Sequence, residues 1–267
     1  MNILVCVKQV PDTTEIKIDP VKKTLIRTGV PSIVNPFDAY ALELAARLKD
    51  QNGGRVTILC MGPPQAEAAI RSCLAVGGDE GFLVSGREFG GSDTLATSYI
   101  ISTAVRYLEE KKGEPFDVIF CGKQAIDGDT GQVGPEVAEH LGYAQVTCTT
   151  DITVEDGKLH VRRDTDEGYD VVEAPSPVVI TVTKTAYEPR MSNIRAKLAA
   201  TRAAVPVIAF NDLMGIDAER IGLKGSPTKV KKTFTPEVTS NCVFLTEESA
   251  ALSAGRLAEA LKKTGAI

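Results

Sequence analysis

Three observations predict an α/β fold for this chain: a doubly wound, mainly parallel sheet with crossover helices, an extended hairpin region and a C-terminal docking arm. Apolar, strand-like runs alternate with helix-like runs four times before about residue 145. The stretches between successive strands are long enough for the right-handed crossovers that parallel pairing requires. The residues that follow Val7, Cys60 and Cys121 consequently fall on one face, at the carboxyl ends of strands, where sheets of this kind hold ligands. With 267 residues, 43% of them hydrophobic, the chain can bury a substantial core as one large domain or one domain with extensions.

Element by element, Ile3 to Val7 reads as a buried strand, and IKIDPVKKTLI as two short extended pieces around a polar turn. NPFDAYALELAARLKD reads as a helix that opens near Asn35 or Asp38 and is stopped by Gly53 and Gly54. RVTILCMG is a second strand and PPQAEAAIRSCLAVGG its return helix. EGFLVSG and SDTLATSYIISTAVRYLEEKKG repeat the pair, and PFDVIFCG with EVAEHLG completes the fourth. Past Gly142 the pattern turns extended and charged: ITVEDGKLHVRRD carries a hairpin turn at Asp156-Gly157, and APSPVVITVTKT adds a strand. A basic arm, YEPRMSNIRAKLAATRAAVP, follows, then GSPTKVKKTFTP and a short C-terminal helix. The expected organisation is a nucleotide-binding α/β domain over 1–183, including the hairpin extension, and a partner-docking arm with C-terminal segment over 184–267. The arm reads either as a solvated helix with its flanking loop or as a docking surface.

Composition excludes several classes. A net charge near −5 gives no support to a broad nucleic-acid-binding surface, and no run is long enough for a membrane span. MNILVCVKQVP lacks the features of a secretion signal, so the cytoplasm is the expected location. Six cysteines without a CxxC pair, and only two histidines, argue against an iron-sulfur cluster or structural zinc and for cysteines used in the core.

The stretch from Cys121 to Gly142, CGKQAIDGDTGQVGPEVAEHLG, concentrates the chemistry. Gly122 and Gly128 allow close backbone approach or a positive φ, and Thr130 and Gln132 offer hydrogen-bonding side chains. Gly134-Pro135 sits near a helix start, where unpaired N–H groups and the positive end of the helix favour phosphate. Asp127 and Asp129 oppose phosphate unless they face a ribose, cap backbone N–H groups or interact through Lys123. The stretch matches neither GxGxxG nor GxxxxGK[ST], so a nucleotide phosphate site and a structural helix cap both stand as readings. In DTLATS, Asp93 or Thr94 suits the cap of the third helix, with Thr97 one turn on; two such helix starts facing one cleft would suit a pyrophosphate.

On VCVKQVPD, NPFDAYALE, MGPP, GKQAIDGDTGQVGPEVAEHLG and EPRMSNIRAK, the chain resembles the beta subunits of electron transfer flavoproteins over nearly its whole length. The resemblance implies a heterodimer with an alpha subunit that carries a further FAD. It implies an adenine and ribose pocket of Cys6, Lys8, Asn35, Asp38 and Met61 with Gly122, and a phosphate-bearing side of Lys123, Gln124, Asp127, Gly128, Asp129, Thr130, Gln132, Val133 and Gly134. Conventional members hold AMP, whereas those of electron-bifurcating complexes hold FAD. DGDTGQVGP, SDTLATS and GSPTKVKKTFTP resemble the bifurcating branch, in which Asp93, Thr94 and Thr97 would extend the site toward the FAD pyrophosphate and isoalloxazine. There NADH is the electron donor. One electron passes through the alpha-subunit FAD to an acyl-CoA dehydrogenase and the other to ferredoxin or flavodoxin. The alternatives are a conventional AMP-binding carrier subunit and a nonredox nucleotide-binding interaction module.

Overall fold

The computed structural model describes residues 1–12, 31–231 and 242–267. The two extended pieces expected in IKIDPVKKTLI, and the end of GSPTKVKKTFTP beyond residue 231, lie outside the described residues. In chain order the strands and helices are β1 (Asn2–Val7), β2 (Gln9–Pro11), β3 (Ser32–Val34), α1 (Pro36–Asn52), β4 (Arg55–Met61), α2 (Glu67–Leu74), β5 (Glu80–Val84) and α3 (Thr94–Lys112). They continue as β6 (Val118–Gly122), α4 (Val133–Leu141), β7 (Ala144–Glu155), β8 (Lys158–Thr165), β9 (Gly168–Ala174), β10 (Val178–Val182), α5 (Ile194–Arg202), β11 (Val207–Ile208) and α6 (Ala250–Thr264).

Among the described residues one nine-stranded sheet runs in the order β11-β5-β4-β1-β6-β10-β7-β8-β9, and β2 pairs with β3 apart from it. From β11 to β7 every neighbouring pair is parallel; β8 and β9 are added antiparallel as two hairpins. The winding reverses at β1. The chain moves outward through β4 and β5, then crosses back to place β6 on the other side of β1. Two-residue periodicity makes this possible, because alternate side chains of a central strand must both be apolar when helices cover both faces. Ile3, Val5 and Val7 of β1 pack with Leu44 and Leu48 of α1 and Ile70 of α2. Leu4, the residue between, packs on the opposite face with Ile100, Val105 and Leu108 of α3 and Val137 of α4. The doubly wound expectation is met.

The boundaries of the helices follow local chemistry. Gly53 (φ 72°), Gly113 (φ 75°) and Gly142 (φ 73°) end α1, α3 and α4 in a backbone conformation that side chains disfavour. α2 is shorter than its sequence pattern, since Pro64–Ala66 form a 3-10 turn ahead of it. The Asp156-Gly157 turn is present, both residues having positive φ (50° and 76°), as a tight hairpin needs. The second hairpin, β8 to β9, was not expected, because GYDVVEA is polar and exposed along most of its length. β10 fits between β6 and β7, a placement that no local pattern in its sequence specifies.

The basic arm is less free of its own chain than its charge pattern suggests. Arg190 donates from Nε and its backbone N–H to Glu43 Oε2 of α1 and pairs with Asp50. Arg71 of α2 donates to the carbonyls of Ala200, Thr201 and Ala203, which close the C-terminal end of α5. Beyond it β11 returns to the sheet edge beside β5. The segment between these anchors leaves Met191, Ile194 and Leu198 exposed at 96%, 80% and 55%.

Candidate functional site

At the carboxyl ends of β1, β4, β5 and β6 a continuous cavity of about 1020 Å³ opens beside the strand-order reversal. Its floor is made by Cys6 and by Cys121 and Gly122, from the facing ends of β1 and β6. Of the residues singled out in the sequence, Cys6, Lys8, Asn35, Asp38, Met61, Asp93, Thr94, Thr97, Gly122, Lys123, Gln124, Gly128, Thr130, Gln132, Val133 and Gly134 all line it. Asp127 and Asp129 are not among the lining residues.

Both aspartates lie off the cavity wall, each held by another side chain, and Asp127 is neutralised by a lysine. Asp127 Oδ1 accepts from Lys8 Nζ at 2.6 Å, and Asp129 Oδ1 accepts from Gln124 Nε2 at 2.8 Å. Of the three arrangements open to these aspartates, a ribose, a backbone cap or Lys123, the described contacts are none: the lysine that pairs with Asp127 is Lys8, at the end of β1. Of the two uses open to Gly128, close backbone approach and a positive φ, the second is not taken. Gly128 has no positive φ and open space where a Cβ would stand, whereas Asp129 (φ 52°) and Gly131 (φ 66°) take the left-handed conformation. Gly122 is required for packing: a Cβ there would lie 2.2 Å from Asp38 Oδ1 and 2.8 Å from the backbone of Phe37. At Gly134 a Cβ would meet the Thr181 methyl at 2.4 Å, so this glycine lets α4 start close against β10.

Asn35 and Asp38 hold the loop in place. Asp38 accepts from the Lys8 N–H (2.7 Å), the Gly122 N–H (3.2 Å) and Asn35 Nδ2 (2.9 Å). Asn35 Nδ2 also donates to the Gln124 carbonyl, and its Oδ1 accepts from the Ile126 N–H. Burial pushes the Asp38 carboxyl up to about 7, against these three hydrogen bonds, which favour its charge. Cys6 is hydrogen-bonded to Cys121, and that bond, then burial, raises its thiol well above the ordinary range; burial takes Cys60 to about 12. These thiols stay protonated and are poor nucleophiles at neutral pH.

The opposite wall is built by helix starts. Asp93 caps α3, its Oδ1 accepting from the Ala96 N–H at 3.1 Å. Thr94 Oγ1 lies 3.1 Å from Gln132 Oε1 and 3.3 Å from Glu136 Oε1, so the first turns of α3 and α4 converge on one cavity. Two helix N-termini there provide unpaired N–H groups and partial positive charge for a ligand phosphate. Apolar cover comes from Leu83, Val84, Phe89 and Ile101.

The strand end after Cys60 contributes Gly62, Pro63 and Pro64 to the wall, on the face expected of it, whereas sequence reasoning missed Glu67 and the wall of residues 85–87 and 89–92. Its signal was present: Ser85-Gly86 after β5 is the same small, polar strand end that marked β6.

A model of the electron transfer flavoprotein domain matches residues 22–213. An electron transfer flavoprotein subunit beta from Megasphaera elsdenii is 52% identical over 250 residues, covering 93% of this chain and 92% of that protein. A protein of the same name from Clostridium acetobutylicum is 50% identical over 238 residues, 89% of each chain. Subunit CarD of a caffeyl-CoA reductase-Etf complex, from Acetobacterium woodii, is 43% identical over 264 residues, 98% of each chain.

Proposed function

Because the chain belongs to the electron transfer flavoprotein family, we propose that it is the beta subunit of an NADH-oxidising, electron-bifurcating member and that its cavity holds FAD. Bound there, the flavin supplies hydride acceptance from NADH and release of the two electrons singly, toward ferredoxin or flavodoxin and, through a further FAD in the alpha subunit, toward an acyl-CoA dehydrogenase. The observation that carries the reading is the extent of the cavity. It runs without a break from Lys8, Asn35 and Gly122 to Asp93, Thr97 and Phe89, and its 1020 Å³ lies at the upper end of ligand-site volumes, more than a mononucleotide fills.

The residues present fit such a group. Cys6, Lys8, Asn35, Asp38 and Met61 take the adenosine end, with Asn35 and Asp38 fixing the loop. Gly128, Thr130, Gln132, Val133 and Gly134 offer backbone and side-chain donors to a pyrophosphate at the α4 start, and Lys123 adds a positive charge. Lys8 neutralises Asp127 next to that position. Thr94 and Thr97 with the apolar residues of α3 orient the redox-active ring and limit water. The chain contributes binding, orientation and electrostatics, and no side-chain nucleophile is needed.

The name of the Acetobacterium relative, a subunit of a caffeyl-CoA reductase-Etf complex, supports an acyl-CoA oxidoreductase as terminal partner, and the exposed apolar and basic arm supplies a surface for one. A cytoplasmic location belongs to the same reading; no helix of the described residues is long and apolar enough to cross a membrane. The test is the absorption spectrum and released-nucleotide content of the copurified alpha-beta pair. Two FAD per pair is the expected result. One FAD with one AMP would make this a conventional carrier, and absence of flavin would leave a nonredox nucleotide-binding module.

A further inference from the structure

The cavity wall at the start of α3 is assembled from two parts of the chain that are far apart in sequence. Asp93 spends one carboxylate oxygen on capping α3 and the other on the segment leading to the C-terminus: Oδ2 accepts from the Thr228 N–H at 3.0 Å and from Thr228 Oγ1 at 2.8 Å. The Asp93 N–H donates to Ser226 Oγ at 2.8 Å, and that hydroxyl, which is buried, donates onward to the Gly222 carbonyl at 2.6 Å. The Gly222 N–H donates to Ser92 Oγ at 3.0 Å. Gly222 has a φ of 59°, and a Cβ there would stand 2.4 Å from the Glu88 carbonyl oxygen, so backbone lies directly on backbone. Ile221 anchors the segment in the core that α3 shares. Partial burial works to raise the Asp93 carboxyl, yet the bonds from Thr228, Ala96 and Ser226 hold it below the usual carboxylate range.

We propose that Ser226 and Thr228 are positioning residues for the nucleotide cavity, setting the Ser92–Thr94 wall through Asp93 and so coupling ligand occupancy to the setting of the C-terminal segment. The inference rests on the reading of the cavity as an FAD site. Ser92, Asp93 and Thr94 line the cavity, while Ser226 and Thr228 do not. A ligand that reaches the α3 start therefore meets a wall whose position the C-terminal segment fixes. Linkage makes the effect reciprocal: a ligand that prefers the fastened wall must also favour the fastened segment. Downstream of it lies α6, which has no buried residue within this chain.

The experiment titrates the full chain with FAD and with AMP, as the original sequence and as Thr228→Val, Thr228→Ser and Ser226→Ala. Amide hydrogen exchange over residues 222–231 is followed with and without each nucleotide. FAD spans to the α3 start and AMP does not, so Thr228→Val and Ser226→Ala should weaken FAD about five- to tenfold and leave AMP within about twofold. Thr228→Ser, which keeps the hydroxyl, should bind FAD as the original does. FAD should slow exchange over 222–231 and AMP should not. Equal FAD affinity in Thr228→Val and the original overturns the proposal, as does a parallel loss of FAD and AMP binding, which marks a merely structural role. Should Thr228→Val fail to fold, unchanged exchange of the original chain on adding FAD overturns it. Binding of neither nucleotide by the original chain would overturn the reading of the cavity itself, a different outcome from the others.

Discussion

At Gly122 a single methyl group would stand 2.2 Å from Asp38 Oδ1, inside the hydrogen-bonded knot that closes the junction of β1, β6 and α1. Gly122→Ala should therefore cost about 1–3 kcal/mol of stability by overpacking, measured as a shift in the urea midpoint at constant slope. Gly128 is the contrast: its φ is ordinary and the space beside it open, so Gly128→Ala should leave stability within about 0.5 kcal/mol, while Gly128→Val narrows the cavity and weakens nucleotide binding. Both glycines looked alike in the sequence, since a glycine needed for close packing and one on an open rim differ only in what the rest of the chain brings near. Asp38 yields a pH prediction. Its carboxyl lies near 3.8 in the unfolded chain and about 7 in the fold, so the folded state binds more protons between those values. Its contribution to stability is fully present below about pH 4 and is lost as pH rises to 7, by about 2–4 kcal/mol. Asp38→Asn should flatten that slope in denaturation measured from pH 4 to 8. It should also lower stability at pH 5, because the amide nitrogen cannot accept from the Lys8 N–H. An unchanged slope would show that another group carries the pH dependence.

Among the elements, those with dense local signals were the legible ones. β1, β4, β5 and β6 are short apolar runs ending in small or polar residues, and α1, α3 and α4 close on glycines with positive φ, so both kind and order followed from neighbouring residues. β9 and the position of β10 did not, because β9 is recognisable only through the partner beside it and β10 is placed by contacts made across about sixty residues. The site divides in the same way. The β6-to-α4 loop carries its glycines, threonines and aspartates in one stretch and was read, whereas the wall after β5 offers locally only the small, polar strand end Ser85-Gly86, and the fold brings the rest of it together. The arm shows what charge counting misses: Arg190 is committed to Glu43 and Asp50, while Arg195 and Lys197 point to solvent beside exposed Met191, Ile194 and Leu198. Reversing Arg195 and Lys197 to Glu should weaken association with the alpha subunit or the dehydrogenase, more at low salt than at high salt, with flavin reduction by NADH little changed. Salt-independent binding equal to the original would return those two residues to the class of solvated charges. Arg190→Gln tests the anchor separately, since it leaves Glu43 buried without its partner and should destabilise the protein by about 1–3 kcal/mol, within reach of thermal unfolding.

For the molecule as a whole, the parallel sheet supplies a rigid floor, and what it serves is decided by the cavity at one edge of its strand ends and by surfaces that its own chain leaves uncovered. α6 buries none of its residues, and Val243 and Phe244 ahead of it are exposed at 76% and 85%, so the C-terminal segment has apolar area that an alpha subunit would cover. That arrangement suits a subunit whose cofactor must sit at a fixed distance from a second one, and it leads to the prediction that decides the proposed function. In the complete complex, NADH should be oxidised rapidly, but sustained reduction of ferredoxin should require FAD in both subunits together with a dehydrogenase and its high-potential acyl-CoA-type acceptor, because the uphill electron depends on the downhill one. An anaerobic assay following NADH, ferredoxin and acceptor together should find near-equal electron flow down the two branches. Emptying the cavity described here, for example by combining Gly128→Val with Thr130→Val, should abolish both NADH-driven outputs while alpha-subunit FAD reduced by other means still passes electrons to the dehydrogenase. If instead an intact complex with two FAD oxidises NADH undiminished, leaves ferredoxin oxidised and delivers every electron to the acceptor, bifurcation is excluded. The chain would then be a carrier subunit of the same family, with the second flavin serving only as the entry point for hydride.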